Sequence, residues 1–231
     1  MTRGELTSTN GTVVWDGLGT LRIRYDATRS GFHPLAGAVR ARLGERVLPV
    51  EALRSVEVTG TGARLVLREG ADPLQSVTRL IDVYDFPGVD LDLAGDIARD
   101  VAQVLVRRDV PATAATAWLV APPGAPDQFE GHDATLVVAN GRLTFTYRRS
   151  AGRKKKALGD LWSVPLDEIV DVEWMPEQGR LGARGFLRIA TAATPDVRPK
   201  PRHDPATMVS RRHTDVDVLF FATRLLTRIR P

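Results

Sequence analysis

The densest chemistry in the chain is the run from Arg148 to Lys156, RRSAGRKKK, which places six cations in nine residues. Charges of one sign this close repel one another unless an anion neutralises them, and Ser150, Ala151 and Gly152 at the centre predict a flexible loop. Two readings fit: a solvated loop, the usual fate of a charge run, or a contact surface for an anionic partner. The contact reading falls on Arg148, Arg149, Arg153, Lys154, Lys155 and Lys156. Its anion would be an acidic protein, a lipid headgroup or a nucleic acid, and each cation held near an acidic lipid surface contributes about 1 kcal/mol.

A looser basic stretch follows, with Arg198, Lys200, Arg202, His203, Arg211, Arg212 and His213. Its prolines predict an extended loop. The simpler expectation is that it lies apart from the first run, each making an ordinary surface.

Other chemistries find little to work with. The four histidines, His33, His132, His203 and His213, fall in no H-x-x-x-H or H-E-x-x-H spacing. A metal site needs three or four convergent ligands, so none is expected, even from His203-Asp204 with His213. The absence of cysteine removes disulfides, zinc fingers, iron–sulfur clusters and thiol nucleophiles together. No G-x-S-x-G elbow, P-loop or G-x-G-x-x-G fingerprint occurs, so no catalytic residue and no cofactor is assigned. Asp167-Glu168 and Asp171 with Glu173 read as polar faces alternating with Ile169, Val172 and Trp174.

Charge is unevenly spread. Residues 1–115 hold 14 Lys and Arg against 15 Asp and Glu, whereas the remainder hold 18 against 13, so the net charge of +4 belongs to the second half. All but four of the 32 basic residues are arginine. That bias reads more simply as codon usage in a GC-rich genome than as a recognition device, and nucleic acid is not an expected partner. No apolar run approaches the roughly 20 residues of a membrane-spanning helix, and no leader follows the N-terminal MTRGELTSTNGT. The chain reads as cytoplasmic.

The elements that must carry these residues occur twice. VLPVEALRSVEV, from Val47 to Val58, aligns without a gap on SVPLDEIVDVEW, from Ser163 to Trp174, an offset of 116 residues with Pro49/Pro165, Val56/Val172 and Glu57/Glu173 identical. Upstream of each copy lies a hairpin signal, Asp16-Gly17 and Asn140-Gly141 between strand-like runs, where a type I′ turn wants positive φ at both central residues. Downstream come the strand-like runs at 64–67 and 185–189, then Asp72-Pro73 and Asp204-Pro205. Each half closes with a helical pattern: Leu93, Ile97, Val101, Val104 and Leu105 after a cap at Asp90 or Asp92, and Val218, Phe221, Ala222, Leu225 and Ile229 from Asp215 or Asp217. Trp15, Trp118, Trp162 and Trp174 are expected as core or interdomain plugs. An exposed Trp162 beside the cations would favour a lipid partner.

The strand–Asn-Gly–strand hairpin leading into SVPLDEIVDVEW, present in two versions, resembles an actinobacterial domain-of-unknown-function family built from tandem PH-like domains. The resemblance implies an α+β, mainly β fold: two bent antiparallel β-barrels or sandwiches, each capped by one C-terminal helix. Residues 9–110 and 129–230 read as the domains and 111–128 as an Ala/Pro-rich linker, within which Trp118-Leu119-Val120 are too apolar for a freely solvated tether and are expected to dock on one or both domains. The resemblance implies no activity. The expected role is a non-enzymatic binding or scaffolding module with a protein partner; the alternative is a peripheral membrane protein holding anionic lipid headgroups. In repeat one only Arg29, Arg40, Arg42 and Arg46 offer a diluted basic counterpart.

Overall fold

The computed structural model describes residues 4–26, 34–78, 80–178, 183–195 and 198–230, so Arg29 and His33 lie outside the described residues. The chain divides into two compact units, the first ending at Ala121 and the second beginning at Pro122.

In the first unit β1 (Gly4–Ser8), β2 (Gly11–Trp15), β3 (Thr20–Tyr25), α1 (Pro34–Leu43) and β4 (Glu45–Pro49) come first, the strands forming an antiparallel sheet in sequence order. Alternation sets its faces: Leu21 and Ile23 of β3 are fully buried, while Arg22 and Arg24, alternating with them, point to water. A 3-10 turn at Val50–Ala52 leads to β5 (Leu53–Thr59), β6 (Gly62–Leu67), α2 (Pro73–Val77) and β7 (Asp85–Pro87), whose strands make a second antiparallel sheet. α3 (Leu91–Arg107) closes the unit. Its start is fixed by Asp90, whose carboxylate accepts from the backbone N–H of Asp92 and Leu93 at 3.0 and 3.1 Å. Its face of Ala94, Ile97, Val101 and Val104 is buried, and the helix packs on β5, β6 and β1.

The second unit repeats this order. β8 (Gln128–Glu130), β9 (Ala134–Ala139), β10 (Arg142–Tyr147), α4 (Arg153–Lys156) and β11 (Leu161–Pro165) precede a 3-10 turn at Leu166–Glu168, then β12 (Ile169–Met175), β13 (Phe186–Thr191), β14 (Thr207–Val209) and α5 (Asp215–Ile229). Strands β8–β11 form one antiparallel sheet and β12–β14 the other. A 3-10 turn at Pro201–His203 stands where the first unit has α2.

The 116-residue offset is structural. Pro49 ends β4 and Pro165 ends β11; each is followed by a three-residue 3-10 turn, and the next ladders slip at Leu53/Ser55 and at Ile169/Asp171. Even the turn's anchor recurs, Val50 N donating to Gly19 O at 2.8 Å and Leu166 N to Gly141 O at 2.9 Å.

One sequence expectation is corrected and two are refined. Asn140 and Gly141 take φ of 52° and 70° in a two-residue turn, but Asp16-Gly17 opens a four-residue turn in which the Asp16 carboxylate accepts from the N–H groups of Leu18, Gly19 and Thr20. The protein is α+β and mainly β, with 34% of the described residues in strands, yet its four sheets do not close into barrels. The final strands β7 and β14 are only three residues long, so the sheet edges meet through isolated bonds such as Asn10 Nδ2 to Asp85 O at 2.8 Å and His132 N to Val209 O at 2.8 Å. Finally, much of the stretch read as a linker is stitched into the first unit. Ala115 N donates to Glu69 O, Leu119 N and Val120 N both donate to Ala71 O, and Val120 is buried.

Among the described residues no helix is long and apolar enough to cross a membrane.

Candidate functional site

The cation run leaves β10 as a compact turn. Arg148 N donates to Asp133 O at 2.9 Å and Ala151 N returns to Arg148 O at 3.0 Å, after which Arg153–Lys156 form one helical turn, α4. The run is therefore ordered by hydrogen bonds where the sequence predicted a flexible loop.

Lys155 explains the order. Its side chain is fully buried, and Nζ donates to Asp133 Oδ2 at 2.6 Å and to Thr207 O at 2.5 Å. The other Asp133 oxygen accepts from Val209 N at 2.8 Å, so one carboxylate ties α4 to β14. Burial pushes the ammonium below the usual lysine range, against the pull of Asp133. Lys155 is a structural residue and is not available to a partner. Its neighbours project outward: Arg149, Arg153, Lys154 and Lys156 are exposed, with Lys156 Nζ donating to Arg149 O at 2.7 Å. Arg148 pairs with Glu130 at 3.1 Å, and Arg211 reaches the same carboxylate at 2.8 Å. Together they hold the Glu130 carboxyl below its ordinary range.

The two basic stretches, expected to lie apart, meet. Gly152 packs so closely on Arg202 that a side chain at position 152 would collide with the Arg202 carbonyl, and the Pro201–His203 turn lies against α4. His203 is pushed below the usual histidine range by desolvation first, then by the charges of Arg202, Lys154, Lys200 and Lys155. The turn is set by Asp204, which accepts from Arg188 Nε at 2.9 Å, Thr207 Oγ1 at 2.8 Å and Ala206 N at 3.0 Å, while Arg188 Nη2 reaches back to Pro199 O at 2.9 Å. One face thus gathers Arg149, Arg153, Lys154, Lys156, Lys200 and Arg202. None of the six has a carboxylate partner among the described residues. Arg198 is drawn off to Glu173 and Arg212 to Glu177.

Two exposed leucines that the sequence reading passed over follow the cation run in the chain. Leu158 is 65% exposed and Leu161 57% exposed, immediately after the cations. Trp162 is half-buried, with its ring edge on Phe145 at 5.2 Å between centroids, so the apolar group beside the cations is leucine rather than tryptophan. Among the described residues no three His, Asp or Glu side chains gather as a metal site would require.

The model of one family, described as Domain of unknown function (DUF4429), matches this chain over residues 15–105 and again over residues 137–226. The chain belongs to that family. One matched stretch lies within each structural unit, and the cationic face lies within the second DUF4429 copy. No curated protein and no solved structure matches the chain.

The first DUF4429 copy uses its basic residues differently. Between β3 and β4 it carries the ten-residue α1, and Arg40 on that helix is buried, as is Arg46 at the start of β4. Arg46 holds Asp72 through both guanidinium nitrogens at 2.8 and 2.9 Å, donates to Tyr84 Oη at 2.6 Å and caps Ala121 O at 2.9 Å. Tyr84 and Asp72 together raise the Arg46 pKa despite its burial. Two of the four arginines in the diluted counterpart thus serve the interior of the first unit.

Proposed function

We propose that this protein is a cytoplasmic, non-enzymatic binding module that holds an anionic partner on the cationic face of its second unit. The observation that carries this reading is the packing of α4 against the Pro201–His203 turn, which merges two basic stretches 40-odd residues apart in sequence into one face. Six unpaired cations held by a folded framework keep their mutual repulsion, and an anion relieves it. The same groups on a disordered tail would spread apart instead. The face consists of the ends of long cationic side chains, which supports binding over catalysis. We also read each half as PH-like: a four-stranded meander, a three-stranded meander and a C-terminal helix, repeated, support that kinship.

The test is retention on a polyanion, heparin or polyglutamate, with salt elution. Arg149→Glu, Arg153→Glu and Lys154→Glu combined should elute at much lower salt than the unaltered protein. The same number of reversals in the first unit, at Arg54, Arg99 and Arg107, should move elution far less. Equal shifts from both sets would show that net charge, and not this face, holds the anion, and would overturn the proposal.

A further inference from the structure

Resting on that reading, we infer that the anionic partner is the surface of a bilayer rich in acidic phospholipid, and that Leu158 and Leu161 enter it between the headgroups while the surrounding cations hold the phosphates. The charge half of the fit is the cluster of Arg149, Arg153, Lys154, Lys156, Lys200 and Arg202. The apolar half is the pair of leucines. Among the described residues of the second unit, the large apolar side chains exposed to water are Leu158, Leu161 and Val170, and two of the three follow Lys156 within five residues. A protein partner would call for a broad apolar patch rimmed by polar groups, on the scale of about 800 Å² a side. Two leucines separated by Gly159 and Asp160 do not make one. A bilayer asks for less, because lipid flows around each inserted side chain.

Neither half anchors a protein alone. A cluster of cations is screened by salt, and one short apolar insertion gives only marginal membrane binding, so stable attachment takes two such signals together. They stand together here on a rigid support. Leu158 N donates to Lys155 O and Gly159 N to Lys156 O, both at 3.1 Å, and Leu161 opens β11 opposite Thr146. Because the buried Lys155 fixes that turn, little conformational freedom remains to be lost on contact.

The experiment is flotation of the full chain with vesicles of phosphatidylglycerol mixed into phosphatidylcholine, against phosphatidylcholine alone, with heparin retention measured in parallel. The unaltered protein should float with the acidic vesicles only, and less as salt rises. Arg149→Gln, Arg153→Gln and Lys154→Gln combined should lower partition about a hundredfold, at about fivefold per cation. Leu158→Ser with Leu161→Ser should lower partition by about tenfold or more while leaving heparin retention unchanged. Both leucines are exposed, so circular dichroism should show a folded variant. Heparin retention without flotation, or flotation that the leucine pair does not reduce, overturns the lipid inference and leaves the anion-binding reading standing. Loss of both signals in the unaltered protein overturns both.

Discussion

Lys155 Nζ lies 2.6 Å from Asp133 Oδ2 with both groups out of water, a buried ion pair inside a segment of the chain that otherwise points its charges outward. Removing one partner of such a pair leaves the other desolvated and uncompensated, at a cost of about 3–5 kcal/mol. Lys155→Met should therefore lower the stability of the second unit by that amount in urea unfolding. Lys155→Met with Asp133→Asn should recover most of the loss, because no charge is then stranded and the Asn carbonyl still accepts from Val209 N. An unchanged midpoint for the single variant would contradict the pairing. It follows that reversing Lys154, Lys155 and Lys156 together would confuse unfolding with loss of binding, and that Lys155 has to be left out of any binding test.

The difference between Lys155 and its neighbours shows where sequence reading stops. Turn chemistry, apolar alternation and helix caps are local, so Asn140-Gly141, the Pro49/Pro165 match and the Asp90 cap could be read directly, and with them the duplication and both closing helices. What Lys155 does depends on Asp133, 22 residues away across the sheet, and the meeting of Gly152 with Arg202 depends on a turn set by Arg188 and Asp204. Nothing in RRSAGRKKK distinguishes the one inward lysine. Similarly, α1 contains Gly37 and lacks a clear apolar stripe, which hid it, and Arg46 reads as a surface cation until Asp72 and Tyr84 are placed against it. Leu158 and Leu161 were visible in the sequence, but their exposure was not.

His203 should report on the occupancy of the cationic face. Its desolvation and its cationic neighbours depress its pKa, so the imidazole is neutral at pH 7 and titrates below the ordinary value of 6.5. A histidine whose folded pKa is depressed takes up its proton less readily than in the unfolded chain. Its contribution to stability is therefore present above 6.5 and is lost as pH falls through the folded value. His132, lowered by burial and by Arg184, acts in the same direction. A bound anion reverses the local field, so proton uptake at His203 and anion binding must reinforce each other. NMR titration should find the His203 pKa rising toward 6.5 in a Lys154→Gln, Lys200→Gln, Arg202→Gln variant, and also rising when heparin is added. Heparin retention should strengthen as pH drops from about 8 to about 5, and His203→Ala should weaken that trend. A His203 pKa unmoved by the anion would place the binding elsewhere.

The stretch after α3 should prove to be part of the first unit in solution. Arg68 donates to Thr113 O and Ala114 O at 2.9 and 3.3 Å, Arg46 to Ala121 O at 2.9 Å, and Ala71 O accepts from both Leu119 and Val120. Truncation at Val110 would remove three carbonyl acceptors, all serving arginines that are buried in the intact unit, together with both N–H donors to Ala71 O, and would uncover the apolar site that Val120 fills. Each lost hydrogen bond to a charged donor costs about 1.5–3 kcal/mol where water cannot replace it. Newly admitted water will offset part of that, because the same truncation opens the site. A fragment of residues 1–121 should unfold cooperatively in urea. One of residues 1–110 should unfold at clearly lower denaturant and lose amide protection at Ala71 and its neighbours. Equal midpoints for the two fragments would mean that residues 111–121 merely lie along the surface, and that the first unit is held by its sheets and α3 alone.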